Sequence, residues 1–158
     1  MFDFFNRDIN VFSPVSGATV DLSKVGDPVF SERMLGDGIA VIPAEPLFSS
    51  PCDGELVMLF PTGHAYGVKT RDGVEILVHI GIDTVKTEGA GFTLLKTLGD
   101  FVKAGDAIVK VDLADLTRQG FDLITPVIVT FPQSFKKFEK TSAKAVSAGK
   151  DIILKLKL

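Results

Sequence analysis

The sequence predicts an all-β sandwich or barrel, and three observations point to that class. Turn-forming pairs recur at short intervals, among them Ser16-Gly17, Asp53-Gly54 and Asp72-Gly73. Short runs rich in Val, Ile and Leu lie between these turns, and each run has the length of a strand. The chain has 158 residues, of which 46% are hydrophobic, so it is long enough to bury the core of one domain.

The predicted elements follow one another between these turns. Strands are predicted at residues 40–43, 55–60, 66–70, 74–80, 107–113, 126–131 and 151–158. One helical turn is predicted over residues 31–35. A short helix is predicted over 113–119, which Asp112 would cap and Gly120 would end in a left-handed conformation.

Two short motifs each occur twice. Residues 13–17 (SPVSG) resemble residues 50–54 (SPCDG), and residues 102–105 (VKAG) resemble residues 146–149 (VSAG). The spacings are irregular, so the repeats do not indicate a solenoid. We expect a duplicated hairpin unit within one compact β domain.

Composition and charge exclude several classes of function. The chain carries 17 Lys+Arg and 20 Asp+Glu, a net charge of −3, with no basic stripe, so nucleic acid is not an expected partner. The single cysteine, Cys52, cannot form an internal disulfide, which favours a reducing compartment. No apolar run reaches the length of a membrane span, and the first residues do not resemble a signal peptide. At most, Phe2, Phe4 and Phe5 would form a short amphipathic anchor.

A histidine interrupts the predicted strand that begins at residue 74. Because side chains alternate faces along a strand, one face is aliphatic throughout and forms the core face. Leu77, His79 and Gly81 then share the opposite face. The pattern predicts that His79 is presented outward in a shallow, open, apolar setting. Gly81 would let a partner or a phosphate approach closely.

The second and last histidine of the chain, His64, follows Thr62 by two residues. In an extended segment both side chains point to one side, so the Thr62 hydroxyl could bond an imidazole nitrogen and fix its tautomer. A hairpin turn at residues 71–73 would pair residues 74–76 with 66–68. Such a hairpin would bring both histidines together, which favours a functional pair over two isolated structural residues.

The chemistry open to two histidines is narrow. The chain has no Cys or His spacing for structural zinc, no Gly-x-Ser-x-Gly elbow, no dinucleotide fingerprint and no Walker loop. A histidine can itself act as a nucleophile and carry a covalent group. Phosphoryl transfer suits an accessible His79, and an imidazole of His64 held by Thr62 supplies a donor for the phosphoryl oxygens.

Three segments resemble the glucose-specific IIA proteins of the bacterial phosphoenolpyruvate:sugar phosphotransferase system. They are residues 27–41, 60–85 and 124–130, within a likeness that runs over residues 11–158. The resemblance implies an antiparallel β-sandwich built from a duplicated hairpin motif. It implies that His79 is phosphorylated on Nε2 by the phosphocarrier HPr and passes the group to a cysteine of a IIB domain. His64 would support the phosphoryl group, and Thr62 would hold the His64 ring.

The same resemblance implies a hydrophobic docking surface around the histidines. Its residues would be Val29, Phe30, Met34, Leu35, Phe60, Leu77 and Val85, with Gly81 beside them. Asp27 and Asp83 would meet a basic residue of HPr. Two departures are Tyr66, where phenylalanine is commoner, and Phe131-Pro132, where a polar turn is usual. Neither departure touches the transfer residues.

The resemblance also sets expectations for organisation and partners. Residues 1–10 would be a short tail before one domain, 11–158, of a free-standing cytoplasmic monomer. The protein would be a phosphotransferase component (EC class 2.7.1) without cofactor or required metal, although His64 and His79 could bind adventitious zinc. It would not bind the sugar, and it could also bind regulatory target proteins.

Three alternatives stay open at this point. A zinc peptidase of the lysostaphin type has the spacing His79-x-x-x-Asp83 but also needs His-x-His, which this chain lacks. A biotinyl or lipoyl carrier would present Met-Lys-Met, which is absent. A regulatory binding module would use its histidines as signals and not as relays.

Overall fold

The computed structural model describes residues 8–130 and 134–158, and strands dominate both ranges. The strands are β1 (Asp8–Phe12), β2 (Gly17–Val20), β3 (Gly36–Pro43), β4 (Leu47–Ser49), β5 (Gly54–Leu59), β6 (Ala65–Lys69), β7 (Glu75–His79), β8 (Phe92–Leu94), β9 (Phe101–Val102), β10 (Ala107–Val111), β11 (Thr125–Thr130), β12 (Lys137–Lys140), β13 (Ala145–Val146) and β14 (Ile152–Lys157). The helices are α1 (Pro28–Ser31) and α2 (Leu113–Arg118), with 3₁₀ turns at Leu22–Lys24 and Thr84–Thr87.

The strands form three antiparallel sheets, so the predicted all-β class is confirmed. The largest sheet has the order β13-β2-β3-β11-β7-β6-β5-β9. Two three-stranded sheets have the orders β1-β14-β12 and β4-β10-β8. One core cluster joins all three sheets: Ile76 and Val78 of β7 pack in it with Val109 of β10 and Leu154 of β14, all fully buried.

The other face of the large sheet carries a second core. It consists of residues from the sheet, from the segment between β2 and β3, and from the position just before β11: Leu22, Val25, Phe30, Ala40, Leu77, Ile124 and Ile128. The prediction of an open outward face on β7 is therefore wrong in part, because Leu77 is only 8% exposed. Strand alternation assigned two faces correctly, but it could not show that a non-strand segment covers the second face.

That covering segment includes α1, which begins three residues before the helical turn predicted at 31–35. Asp27 caps the helix, since its Oδ1 accepts from the backbone N–H of Val29 at 3.0 Å, and Pro28 occupies the first turn. The helix ends before Arg33, which is in the left-handed conformation with φ 55°. The predicted α2 is confirmed: Asp112 caps it, and Gly120 follows it with φ 91°.

The duplicated motifs occupy equivalent places in the large sheet. Gly17 of the first motif pairs with Val146, and Gly54 of the second pairs with Val102. The backbone N–H of Gly149 donates to the carbonyl of Ser13 at 3.0 Å, and that of Gly105 donates to the carbonyl of Ser50 at 2.9 Å. The two hairpin units meet where Gly149 approaches Gly105: a Cβ atom on Gly149 would lie 2.8 Å from the Gly105 Cα.

Several sequence expectations concern the chain ends and the membrane. Residues 8–10, predicted as tail, belong to β1 and pair with β14. Phe2, Phe4 and Phe5, as well as Phe131-Pro132, lie outside the described residues. Within the described ranges, no helix combines the length and the apolar character that a bilayer crossing requires.

Candidate functional site

The β6–β7 hairpin brings the two histidines together, as the sequence predicts. Ala65 pairs with His79, and the backbone N–H of Ile80 donates to the carbonyl of His64 at 2.7 Å. The imidazole centroids lie 5.3 Å apart, with the ring planes at 79°. The two imidazoles are close enough to act on one bound group.

His79 is half-buried at the end of β7, and a backbone carbonyl sets its tautomer. Its Nδ1 lies 2.8 Å from the carbonyl oxygen of Gly81. Because a carbonyl oxygen only accepts, Nδ1 carries the proton and donates. Nε2 is therefore left with a lone pair, which is the form that a nucleophile requires.

Gly81 makes this contact possible, for a reason other than the one the sequence suggested. Its φ is 75°, a left-handed conformation that L side chains rarely adopt. It is buried, and a Cβ atom there would lie 2.7 Å from Cγ2 of Thr84 and 2.9 Å from the carbonyl oxygen of Asp122. The prediction that Gly81 leaves room for a partner is wrong, because its own chain fills that room.

His64 lies in the tight connection between β5 and β6 and is only 5% exposed. Thr62 Oγ1 lies 2.6 Å from its Nδ1, so the predicted pair exists. The segment is not extended, however, because Gly63 turns the chain with φ 77°. A hydroxyl that donates to Nδ1 leaves the ring proton on Nε2, where it can be donated to an anion.

The surroundings lower the pKa of both histidines. For His64 the main cause is burial, and the neighbouring His79 adds to it. For His79 burial also dominates, while the hydrogen bond to Gly81 and the charges of Asp27 and Asp83 oppose it. Both rings are consequently neutral at neutral pH, which keeps a lone pair available on His79.

Each histidine contacts an aromatic ring from the predicted docking surface. The centroid of Phe30 lies 4.9 Å from that of His79, and the centroid of Phe60 lies 4.9 Å from that of His64. Phe30 is only 3% exposed. Phe30 and Leu77 are therefore corrected from surface residues to members of the second core, because α1 turns Phe30 inward onto the sheet.

The remaining predicted docking residues do lie at the surface. Their exposed members are Met34, Leu35, Phe60 and Val85, which we call the docking face, and Val29 is half-buried beside them. The two predicted rim carboxylates differ. Asp27 caps α1, whereas Asp83 is exposed, with φ 58° and its Oδ2 at 3.7 Å from Lys86 Nζ.

The zinc-peptidase alternative gains no support from the geometry. Within the described ranges, no group of three or more His, Cys, Asp or Glu residues is placed to hold a metal ion. Cys52 is buried, and burial raises the pKa of its thiol to about 12, so it is not a ready nucleophile.

Three contacts of the site were missed by sequence reasoning. They are the hydrogen bond to the Gly81 carbonyl and the ring contacts Phe30–His79 and Phe60–His64. Backbone acceptors and ring packing leave no sequence motif.

Comparisons with known proteins all lead to one family. The family model for the phosphoenolpyruvate-dependent sugar phosphotransferase system, EIIA 1, matches residues 9–135. The glucose-specific EIIA component of Bacillus cereus is 40% identical over 146 residues, which are 92% of this chain and 88% of that protein. The one from Mycoplasma capricolum is 46% identical over 127 residues, 80% of this chain and 82% of that protein.

Two further comparisons concern a larger protein and a solved structure. The glucoside-specific EIICBA component of Staphylococcus carnosus is 44% identical over 120 residues, 76% of this chain but only 17% of that protein. The structure of the glucose permease IIA from Mycoplasma capricolum superposes with a TM-score of 0.90 at 40% identity. The superposition covers 98% of this chain and 99% of the Mycoplasma capricolum chain. The likeness thus extends from short motifs to the whole fold.

Proposed function

The chain belongs to the EIIA 1 family of the phosphoenolpyruvate-dependent sugar phosphotransferase system, and on that premise we propose that His79 and His64 form its phosphoryl-transfer site. Proteins of this family are phosphocarriers that receive a phosphoryl group from HPr and pass it toward a IIB domain. The observation that supports His79 as the carrier is its 2.8 Å hydrogen bond to Gly81, which leaves Nε2 unprotonated.

The transfer to His79 is a displacement at phosphorus. Nε2 of His79 attacks the phosphorus of phospho-HPr, the new N–P bond forms, and the bond to the donor atom breaks with its electron pair returning to HPr. The ring of His79 gains positive charge in this step. Its Nδ1–H stays bonded to the Gly81 carbonyl, which stabilises that charge. Onward transfer to IIB reverses the same step with a new acceptor.

His64 assists this transfer without carrying the group. With Thr62 donating to Nδ1, the Nε2–H of His64 is a donor next to the His79 ring. A phosphoryl group in transfer accumulates charge on its oxygens, and a fixed donor stabilises that charge. Since His64 is buried and neutral, it supplies the donor without an ionisation step.

The docking face is proposed to receive both partners in turn. Apolar contacts through Met34, Leu35 and Val85 tolerate differently shaped partners better than a fixed array of hydrogen bonds does. Asp27 and Asp83 would repel a bound phosphoryl group, so they are better suited to contact a basic partner residue at the rim. Binding to each partner should be transient, because tight binding would stall the relay.

The proposed relay has four further properties: no resident metal or cofactor, no sugar site, a monomeric state and a cytoplasmic location. The relay needs no resident metal or cofactor, because the phosphoryl group is carried on His79 itself, and it corresponds to EC class 2.7.1. The protein does not bind the sugar, works as a monomeric single domain and could also bind regulatory target proteins. A relay fed by phosphoenolpyruvate works where that metabolite is made, in the cytoplasm.

Reconstitution tests the proposal. The purified protein is incubated with phosphoenolpyruvate, Enzyme I and HPr, and the labelled residue is mapped. We expect one phosphoryl group on His79, no labelling of His79→Gln, and an unchanged circular dichroism spectrum of that variant. Normal labelling of His79→Gln, or no labelling of the unmodified protein, would overturn the assignment.

A further inference from the structure

Four aromatic rings form a continuous series of contacts at the site. The order is Phe30, His79, His64 and Phe60, with centroid separations of 4.9, 5.3 and 4.9 Å. The last pair differs from the others because its rings are nearly parallel, with an interplanar angle of 23°. Phe60 therefore covers one face of the His64 imidazole, while the edge-on His79 ring lies on another side.

We propose that Phe60 is a positioning residue for His64, and that its effect on phosphoryl transfer acts through the orientation of the imidazole as well as through docking. This inference rests on the proposed function, in which His64 donates to the phosphoryl group. It assigns Phe60 a role beyond that of an exposed apolar contact for HPr or IIB.

The loop that carries both residues is closed by backbone hydrogen bonds. The N–H of Phe60 donates to the carbonyl of Ala65 at 3.1 Å, and the N–H of Gly63 donates to the carbonyl of Phe60 at 2.8 Å. Gly63 also packs closely against β8, where an added Cβ would lie 3.0 Å from Cβ of Phe92. Because the loop is fixed at both points, Phe60 is held beside His64 in the absence of a partner.

The hydrogen bond from Thr62 does not fix the imidazole by itself. It restrains one atom, Nδ1, at 2.6 Å, and leaves the plane of the ring free to tilt about that contact. A ring stacked on the imidazole limits this tilt. His64 is 5% exposed although its neighbour Phe60 is 41% exposed, so Phe60 forms the outer wall of the His64 position. Removing that ring would open one face of the imidazole and leave only the Thr62 hydrogen bond and the edge contact with His79 to orient it.

A docking role and a positioning role predict different kinetics. A residue that only contacts the partner changes the concentration at which transfer saturates. A residue that orients His64 changes the limiting rate of transfer in the saturated complex, and its effect disappears once the imidazole is gone. A double-mutant cycle between Phe60 and His64 separates these roles.

The experiment measures onward transfer from the phosphorylated protein to the IIB domain of a glucose-type permease by rapid quench. The variants are Phe60→Leu and Phe60→Tyr, each made alone and with His64→Gln, and Leu47→Ala serves as the control. Leu47 is also an exposed apolar residue, but it lies in β4, outside the large sheet that carries the histidines. Circular dichroism and mapping of the label on His79 precede every rate measurement.

We expect Phe60→Leu to lower the limiting rate about tenfold, because small displacements of a catalytic group cost at least that much. Phe60→Tyr, which keeps the stacked ring, should retain most of the limiting rate of the unmodified protein. Leu47→Ala should leave the limiting rate unchanged. In the His64→Gln background, Phe60→Leu should change the limiting rate less than about twofold, as coupled residues are not additive.

Two results would overturn the inference while leaving the proposed function intact. One is an equal loss of rate with and without His64. The other is a Phe60→Leu variant that changes the concentration of IIB at which transfer saturates but leaves the limiting rate unchanged. Failure of the unmodified protein to become labelled on His79 would overturn the proposed function, and this inference with it.

Discussion

The end of β7 and the loop between β5 and β6 each hold one histidine, and they hold it in opposite ways. At the end of β7, Nδ1 of His79 donates to a carbonyl two residues later in the chain. In the loop, Nδ1 of His64 contacts a hydroxyl two residues earlier. The first arrangement leaves a lone pair on Nε2, and the second can leave a proton there. Two identical side chains are thus suited to different roles by one neighbouring atom each.

The largest effect is expected from Gly81→Ala, which disrupts the His79 side of this comparison. A side chain at φ 75° is strained, and its Cβ would meet Thr84 and the Asp122 carbonyl. Strain and overpacking together should lower the free energy of unfolding by about 2–5 kcal/mol. Chemical denaturation measures this loss, and labelling from HPr should slow as the Gly81 carbonyl moves.

Gly120→Ala is the matched control for that variant. Gly120 also has a positive φ, 91°, but no atom lies within 4 Å of the Cβ position. Only the backbone strain then applies, about 1–2 kcal/mol. Equal destabilisation by the two substitutions would show that the packing around Gly81 does not matter.

A somewhat smaller effect is expected from His64→Gln, which removes the imidazole donor. The amide can still donate a hydrogen bond, so labelling from HPr should persist. Onward transfer to IIB should slow about 10²- to 10³-fold, which corresponds to roughly 2–4 kcal/mol of transition-state stabilisation. Rapid-quench measurement of transfer from the labelled variant is the test. Transfer at the normal rate would remove His64 from the mechanism.

Thr62→Val should have a milder effect, because it removes one hydrogen bond and keeps the shape of the side chain. A hydrogen bond of this kind contributes about 0.5–1.5 kcal/mol, so onward transfer should slow about 3- to 10-fold. Thr62→Ser keeps a hydroxyl and should retain most of the rate. If Thr62→Ser is as slow as Thr62→Val, the hydroxyl is not what orients His64.

The smallest effect on phosphoryl transfer is expected from changes of pH and of the rim charges. Because the pKa of His79 is lowered from 6.5, mainly by burial, acceptance from HPr should rise through a midpoint below pH 6.5 and then level off. Because the folded-state pKa of His79 lies below its ordinary value, the contribution of neutral His79 to the free energy of unfolding is complete above pH 6.5. This contribution is lost as the pH falls through the folded-state pKa. The ring faces the Gly81 carbonyl, Asp27 and Asp83, all of which oppose the lowering.

Asp83→Asn tests this electrostatic account. Loss of an opposing charge should move the midpoint to lower pH, and added salt should reduce the difference because Asp83 is exposed. NMR titration of the His79 ring measures the midpoint directly. A midpoint that moves to higher pH would contradict the assigned sign.

Much of this architecture could be predicted from the sequence, and its failures have physical causes. Alternation identified β7 and the hairpin with β6, because one face of β7 is continuously aliphatic. The seven predicted strands overlap β3, β5, β6, β7, β10, β11 and β14, whereas β1, β2, β4, β8, β9, β12 and β13 were missed. The two-residue strands β9 and β13 are too short to show any period. Helix α1 was misplaced because a helix of four residues shows almost no period. The resemblance placed Phe30 at the surface, since it could not show that α1 turns this ring onto the sheet.

The candidate site also combines features that the sequence predicts with features that it does not. The two histidines and Thr62 could be found from residue type and spacing, and a family resemblance linked them to phosphoryl transfer. The Gly81 carbonyl could not be found, because a backbone acceptor depends on φ and not on residue type. The stacking of Phe60 on His64 could not be found either, since it depends on how the β5–β6 loop closes.

The most direct test of the account is nitrogen-15 and phosphorus-31 NMR of the protein before and after labelling by HPr. We expect unlabelled His79 to carry its proton on Nδ1 and unlabelled His64 to carry its proton on Nε2. After labelling, we expect the phosphoryl group to be bonded to Nε2 of His79 alone. A phosphoryl group on Nδ1, or on His64, would contradict the central claim that the two Nδ1 contacts determine which nitrogen reacts.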